Sequence, residues 1–205
     1  MRDDARRFGW PKVLYRAVMG KCERFLQLYR ISSRALAVDA TFEPTVADVR
    51  IATEQELRVA VQEMPKQLTM EFVDGAMARG DACLAAFLDG RMVAFSWRSY
   101  SLAPHTHGIW VRFNPSYRYG YKSFTLPEYR GRHLLDLRRG DPYCRSRGAE
   151  RTIGFIASHN LESLQRSARI SNVFIGYAGY LRLFGRFWFF RTRRVRQTGF
   201  EFFVR

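Results

Sequence analysis

Between residues 124 and 135 the chain reads Phe-Thr-Leu-Pro-Glu-Tyr-Arg-Gly-Arg-His-Leu-Leu, which places a carboxylate, arginines, an imidazole and a glycine side by side. Before it, Tyr117, Tyr119 and Tyr121 alternate along one face of a strand, and Pro127, unable to donate to a ladder, ends that strand. Tyr129 to Arg132 is a basic turn with one glycine. Leu134, Leu135 and Leu137, followed by Arg138 and Arg139, then read as the opening of a helix that Gly140 and Asp141-Pro142 interrupt. The first N–H groups of a helix lack intrahelical partners and face the positive end of its dipole, so a phosphate or pyrophosphate is the ligand this junction suits. Glu128, just past the strand, is a candidate general base. His133 has a ring suited to proton transfer, but its place in the turn favours contact with phosphate or solvent.

These residues resemble the acyl-coenzyme A binding segment of the GNAT acyltransferase superfamily, a strand followed by a loop of form (Arg or Gln)-x-x-Gly-x-(Gly or Ala). Laid on that pattern, Arg130 takes the first position, His133 stands where glycine is usual and Leu135 where glycine or alanine is usual. The resemblance implies that amides and side chains of Phe124, Thr125, Leu126, Arg130, Gly131, Arg132, His133, Leu134 and Leu135 hold the cofactor. It also implies that the Phe124 to Leu126 backbone polarises the thioester carbonyl. The family's later motif, Asn-x-x-(Ser/Ala)-x-x-x-Tyr-x-x-x-Gly-Phe, is matched by Asn160 and Ser163. Ser167 stands in place of the tyrosine that protonates the leaving thiolate, and Ser171-Asn172 in place of Gly-Phe. Asn160 and Ser163 are thereby cofactor contacts and Ser167 a candidate proton relay, with a helix cap as the other reading of Asn160. Tyr119 is carried as the strand tyrosine that faces an acceptor, the other reading being core.

The other chemistry-bearing residues are sparser. Cys22, Cys83 and Cys144 are odd in number and far apart, which fits neither a disulfide framework nor a metal-ligand spacing. His105 and His107, two apart, suit substrate or surface but lack a third ligand, so no metal is expected. From Arg182 to Arg196, arginines alternate with Phe184, Phe187, Trp188, Phe189 and Phe190, a pattern shared by single-strand nucleic-acid surfaces and by strands with a basic solvent face. No helix-turn-helix, zinc-finger or RNP-like run supports the first, and nucleic acid is not the expected partner.

Apolar residues make up 47% of the 205, enough for a sizeable core. The 34 Lys and Arg against 19 Asp and Glu leave a net charge of +15, a field that draws polyphosphates, anionic lipid, acidic proteins or nucleic acid alike. Basic residues interrupt every early hydrophobic run, so neither a cleaved export signal nor a spanning helix is expected. A reducing, cytoplasmic location is the expectation, peripheral to a membrane if at one.

The elements that position these residues are read in order. Residues 11–29 carry Val13, Leu14, Val18, Cys22, Phe25 and Leu26 at helical spacing beside Lys12, Arg16, Lys21 and Arg24, a basic amphipathic helix that docks on its own domain or lies on a membrane. Residues 1–45 are set apart as this helical extension, and 46–205 as the main domain. There a strand at 46–51 precedes a helix capped by Thr53 and ended by Pro65, and a second helix runs from Thr69 to Arg79. Asp89-Gly90 joins two apolar runs as a hairpin. Residues 104–108 form a loop, 109–113 a strand beside that of Tyr117 to Thr125, and 151–157 a strand. A helix from Leu161 to about Ile170 and two terminal strands complete the chain. The order β, α, α, β, β, β, β, α, β, α, β, β predicts an α+β fold with a central mixed, mostly antiparallel sheet flanked by helices, as in the GNAT fold.

The resemblance implies an N-acyltransferase that moves an acyl group, acetyl or longer, from acyl-CoA to an amine. Charge tilts the acceptor towards an acidic or lipid-linked molecule, an anionic membrane surface, or an acidic carrier protein delivering the acyl group. The alternatives are a GNAT-like binding module without catalysis and a peripheral membrane or nucleic-acid binding protein.

Overall fold

The computed structural model describes residues 6–38, 45–106, 108–169 and 172–205. In chain order its elements are α1 (Trp10–Cys22), β1 (Leu26–Ala35), β2 (Asp48–Ile51), α2 (Glu54–Glu63), α3 (Met70–Ala78), β3 (Ala82–Leu88), β4 (Arg91–Ser99), β5 (Leu102–Thr106), β6 (Ile109–Arg112) and β7 (Tyr117–Thr125). They continue with α4 (Asp141–Ser146), β8 (Arg151–Ala157), α5 (Leu161–Arg169), β9 (Val173–Leu183), β10 (Arg186–Arg191), α6 (Arg193–Gln197) and β11 (Glu201–Val204). The chain divides into two compact units. Unit I is Met1–Arg34, Pro104–Asn114 and Ile153–Arg205, and unit II is Ala35–Ala103 and Pro115–Thr152.

Unit II holds strands in the order β7-β4-β3-β2, each pairing antiparallel. The β3–β4 hairpin forms as expected, with Asp89 at φ 49 and Gly90 at φ 78, the left-handed pair its tight turn needs. β3 and β4 are buried on both faces, which is why they read as continuous apolar runs. α2 begins at Thr53, whose side chain accepts from Glu56 N–H while Glu56 reaches back, a capping box. Thr69 caps α3 through Phe72 N–H. Phe72 stands edge-on to Trp97 at 5.3 Å and to Tyr121 at 6.1 Å, which places α3 on the sheet face that carries these rings.

α4 lies on the opposite face, where two arginines are buried. Arg118 is bonded to Asp141 at 3.2 Å, both side chains closed to solvent, and Asp141 Oδ2 also accepts from Ala37 N–H. Arg98 is fully buried. Its Nη1 donates to Ser96 Oγ at 2.5 Å and to the Trp97 carbonyl at 3.1 Å, but its Nε and Nη2 have no hydrogen-bond partner among the described residues. Burial, with the Arg118 charge beside it, lowers the Arg98 guanidinium to about 9.

Unit I holds strands in the order β10-β9-β1-β8, and a three-stranded sheet in the order β11-β6-β5. β9 is antiparallel to both β1 and β10. The rings of Tyr29 on β1 and Phe202 on β11 meet at 5.2 Å, and Phe155, Tyr180 and His105 fill the same aromatic layer. α1 packs through Val13, joined by Phe8 just before the helix, against Leu161 of α5, with Arg16 paired to Glu162 at 3.1 Å.

The mixed α+β class and the antiparallel pairing are as expected, but several elements differ. The helix expected over 11–29 ends at Cys22, and Leu26–Ala35 is a strand paired with β9, so part of the segment set apart as 1–45 lies within a sheet of unit I. The residues Tyr29, Ile31 and Ser33 are buried alternately, a period of two that overlaps the helical spacing of Val18, Cys22 and Phe25. The expected loop at 104–108 is largely β5. β6 pairs with β11 rather than lying beside β7, because a short connection does not oblige two strands to pair. The helix expected to open at Leu134 is a 3-10 turn at Leu137–Gly140, and the α-helix starts at Asp141. Pro142 in its first turn marks a start rather than an interruption.

The buried charges of unit II make its stability sensitive to single substitutions. Because Arg98 adds a cation to an already neutral Arg118–Asp141 pair, Arg98→Met is expected to raise the melting temperature, while Asp141→Asn costs about 3–5 kcal/mol in a denaturant titration. A lower melting temperature for Arg98→Met refutes the account of its charge. Asp81 accepts from Tyr121 O–H at 2.6 Å and pairs with Arg79 at 3.0 Å, yet burial raises its carboxyl above the ordinary value. A raised acid contributes stability below its unfolded value of about 4, and this is lost as pH rises through the folded value. The melting temperature should therefore show a decline above pH ~4 that Asp81→Asn lacks.

Candidate functional site

The site is built on β7. Its register against β4 shifts between Ser96 and Trp97, so that Ser96 faces Ser123, Trp97 faces Tyr121, and Lys122 is the extra residue of a bulge. Lys122 accordingly takes φ 44, and its Nζ lies 4.3 Å from the centre of the Phe72 ring. A bulge re-aims the side chains beyond it. Tyr119 and Tyr121 stack at 6.0 Å on the buried α3 face, whereas Ser123 is exposed and Phe124, Thr125 and Leu126 are half-buried. Tyr119 is thus a core residue and not an acceptor-facing catalyst, and burial pushes its phenol well above its ordinary value.

The bulge also brings Ser123 Oγ to 2.6 Å from Ser96 Oγ. Arg98 donates into Ser96, and either hydroxyl can be the donor between Ser96 and Ser123; in the arrangement with Ser96 donating, the Ser123 O–H is free to donate outwards. This chain from a buried guanidinium to an exposed hydroxyl was missed in the sequence. It depends on a one-residue register shift that leaves no compositional trace.

Beyond β7 the Leu126 N–H donates to the Val93 carbonyl at 3.0 Å and so is spent internally. Pro127–Tyr129 is a 3-10 turn. Glu128 is exposed on it. Arg130 folds back, its Nε donating to the Thr125 carbonyl at 3.3 Å and its guanidinium 6.0 Å from the Phe124 ring centre. Arg132 lies 5.3 Å from the Tyr129 ring centre. Gly131 has φ 81 and His133 φ 53. The histidine in place of the expected glycine therefore keeps the left-handed conformation, at a cost of about 1–2 kcal/mol. Leu134 and Leu135 pack their side chains against the Ala47, Ala86, Val93 and Ala94 cluster and anchor the loop. The N–H groups of Tyr129, Arg130 and Arg132 close local turns, while those of Gly131, His133, Leu134 and Leu135 have no partner among the described residues. The expected helix N-terminus is absent at this point, but the unpaired amides it was to supply are present. They come from an irregular loop with left-handed residues at 131 and 133, the geometry of an anion-binding nest.

The remaining candidates lie in unit I. Asn160 Oδ1 accepts from Ser163 N–H at 3.1 Å, and the Asn160 carbonyl accepts from Leu164, so Asn160 is the cap of α5 and the Ser163 amide is used in that cap. Ser167 Oγ accepts from Asn172 Nδ2 at 3.0 Å, which orders the hydroxyl and leaves it its own proton. His105 is on a strand, its Nε2 at 3.0 Å from Tyr29 Oη, within the aromatic layer rather than on a surface loop. His107 lies outside the described residues. Among the described residues no cluster of three or more His, Cys, Asp or Glu suits a metal.

No protein-family model matches the chain, nor does any curated protein. Solved structures do. One is a Novosphingobium aromaticivorans protein assigned to the GNAT family of acetyltransferases, 15% identical over 73% of this chain and 60% of that one, with a TM-score of 0.51. Others are a GCN5-related N-acetyltransferase of Kribbella flavida, 12% identical over 68% of this chain and 53% of that one at TM-score 0.41, and AAC(6')-Iy in complex with the bisubstrate analogue CoA-S-monomethyl-acetylneamine, 15% identical over 72% and 98% at TM-score 0.44. The chain spans 60% of the Novosphingobium protein's length, and it is that comparison which carries the likeness. At 15% identity and a TM-score of 0.51 over 73% of its length, the chain has the fold of the GNAT acetyltransferases.

Proposed function

We propose that the protein is an N-acyltransferase that takes an acyl group, acetyl or longer, from acyl-CoA and transfers it to an amine. The observation that carries this reading is the set of unpaired N–H groups at Gly131 and His133 to Leu135, beside the Arg130 and Arg132 guanidiniums, directly after the bulged strand. Exposed donors of this density suit a pyrophosphate. The loop residues are the proposed cofactor contacts in unit II.

The reaction needs little more. The amine nitrogen, once neutral, attacks the thioester carbonyl. Negative charge gathers on the carbonyl oxygen, the C–S bond breaks, and the thiolate leaves and takes a proton. Ser123 is the proposed donor to the developing oxyanion, in the arrangement in which Ser96, itself bonded to a guanidinium whose charge water does not screen, donates to it. Arg98 and Ser96 act through it as positioning residues. Glu128 is the proposed acceptor of the amine's proton, through water. A catalytically inactive binding module is the second reading, favoured by the serine at the tyrosine's place.

Calorimetry is expected to show acetyl-CoA or longer acyl-CoA binding that Gly131→Val weakens at least ~10-fold, because a β-branched side chain does not tolerate φ near 81. His133→Gly, which relieves strain while keeping the amide path, is expected to keep the affinity and gain about 1 kcal/mol of stability. No heat of binding with any thioester at millimolar concentration refutes the enzyme and the binding module together. With an amine substrate in hand, Ser123→Ala should lower kcat by about 10–100-fold at nearly unchanged KM. Ser123→Thr restores part of it, and a change in KM alone removes Ser123 from the chemistry.

A further inference from the structure

α1 is apolar on two opposite sides. Val13 and Met19 are buried, and a helix that served only to close its own core would be polar elsewhere. Instead Trp10, Leu14 and Val18, four residues apart and so in one stripe, are exposed, Leu14 by 65%. Lys21 continues that stripe and Arg24 comes after it, both exposed and without an ion pair among the described residues. The chain after α1 leads to a second apolar feature. The Phe25 carbonyl accepts from Arg182 N–H, at the end of the β9–β10 hairpin. At the turn of that hairpin Phe184 is 97% exposed, between the exposed Arg182 and Arg186. Phe184 sits at φ 49 and Gly185 at φ 75, a tight turn that holds the ring out from the sheet.

We propose that this part of unit I is a docking surface for an anionic bilayer. Trp10, Leu14, Val18 and Phe184 enter the interfacial zone, while Lys21, Arg24, Arg182 and Arg186 lie against the headgroups. The chemistry selects the occupant. Aliphatic and aromatic side chains buried in the acyl boundary supply the apolar contribution, and flanking cations each add attraction to acidic lipid. Single-stranded nucleic acid is held by aromatic platforms, and Leu14 and Val18 offer no π face for a base. Membrane docking does not depend on the acyltransferase reading, to which it adds the place where the enzyme works.

The test is co-sedimentation of the full chain with vesicles of phosphatidylcholine alone and with added phosphatidylglycerol. The expected result is binding to the acidic vesicles that weakens as salt is raised. Leu14→Glu and Phe184→Glu should each lower the partition coefficient about 10-fold or more, as the loss of one buried large apolar side chain does. Both positions are exposed, and unchanged circular dichroism and melting temperature verify the fold of the variants. Binding to neither vesicle, equal binding to both, partitioning that neither substitution lowers, or displacement of the vesicles by a single-stranded oligonucleotide overturns the proposal.

Discussion

The extra residue at Lys122 governs the geometry of unit II. Side chains on a strand alternate between faces, so a single inserted residue exchanges the faces of everything on one side of it relative to the other. N-terminal to the bulge, Tyr119 and Tyr121 look into the α3 layer and Arg118 and Gly120 into the α4 layer. C-terminal to it, Ser123 is set opposite Ser96 in the α4 layer's row, and the strand then delivers Leu126 to the Val93 carbonyl and turns at Pro127. Without the bulge Ser123 would fall on the tyrosine face and lose the hydroxyl chain to Arg98. The loop would also leave the sheet from a different face, since its Leu134 and Leu135 anchors depend on where the strand ends.

The same layer sets the electrostatics. Two guanidiniums and one carboxylate are enclosed together, and Gly120 lies between the guanidiniums, where a Cβ would come into contact with both Arg98 and Arg118 at 3.4 Å. Arg118 is matched by Asp141. Arg98 is matched only by a hydroxyl and a carbonyl, neutral acceptors whose bonds are each worth about 1.5–3 kcal/mol against a desolvation cost of several. The difference is carried by the packing of β3 and β4, which are buried on both faces.

What the sequence made legible was local. Asp89-Gly90, the capping residues Thr53 and Thr69 and the stop at Pro127 each act within four or five residues, and each is found where expected. What escaped was decided at a distance. The residues of β1 satisfy a helical and a strand period equally at their start, and partners such as Leu181 for Leu26 settle the matter from the far end of the chain. β6 is claimed by β11 for the same reason. In the site, the loop of unpaired amides falls on residues that the motif marked, because a motif is itself local. Tyr119 was misread because alternation gives the row but not the layer that covers it. Asn160 caps α5 through its side chain, which accepts from Ser163 N–H, the local one of its two readings.

Three features run against local preference: Arg98 buried without a carboxylate, His133 in a left-handed conformation, and apolar side chains exposed on α1 and at Phe184. Ordinary variation would remove each at a gain, by a methionine, a glycine and a few polar residues. Their costs are not interchangeable. The backbone strain at His133 is local and small beside the burial of Leu134 and Leu135, worth roughly 1.5–3 kcal/mol each when complete, so the loop keeps its path whichever residue stands there. Arg98 has no such local offset and draws on the whole unit, which makes it the more informative departure. Its guanidinium reaches an exposed hydroxyl through two hydrogen bonds, so on the proposed reading the stability it costs is the counterpart of a preorganised site.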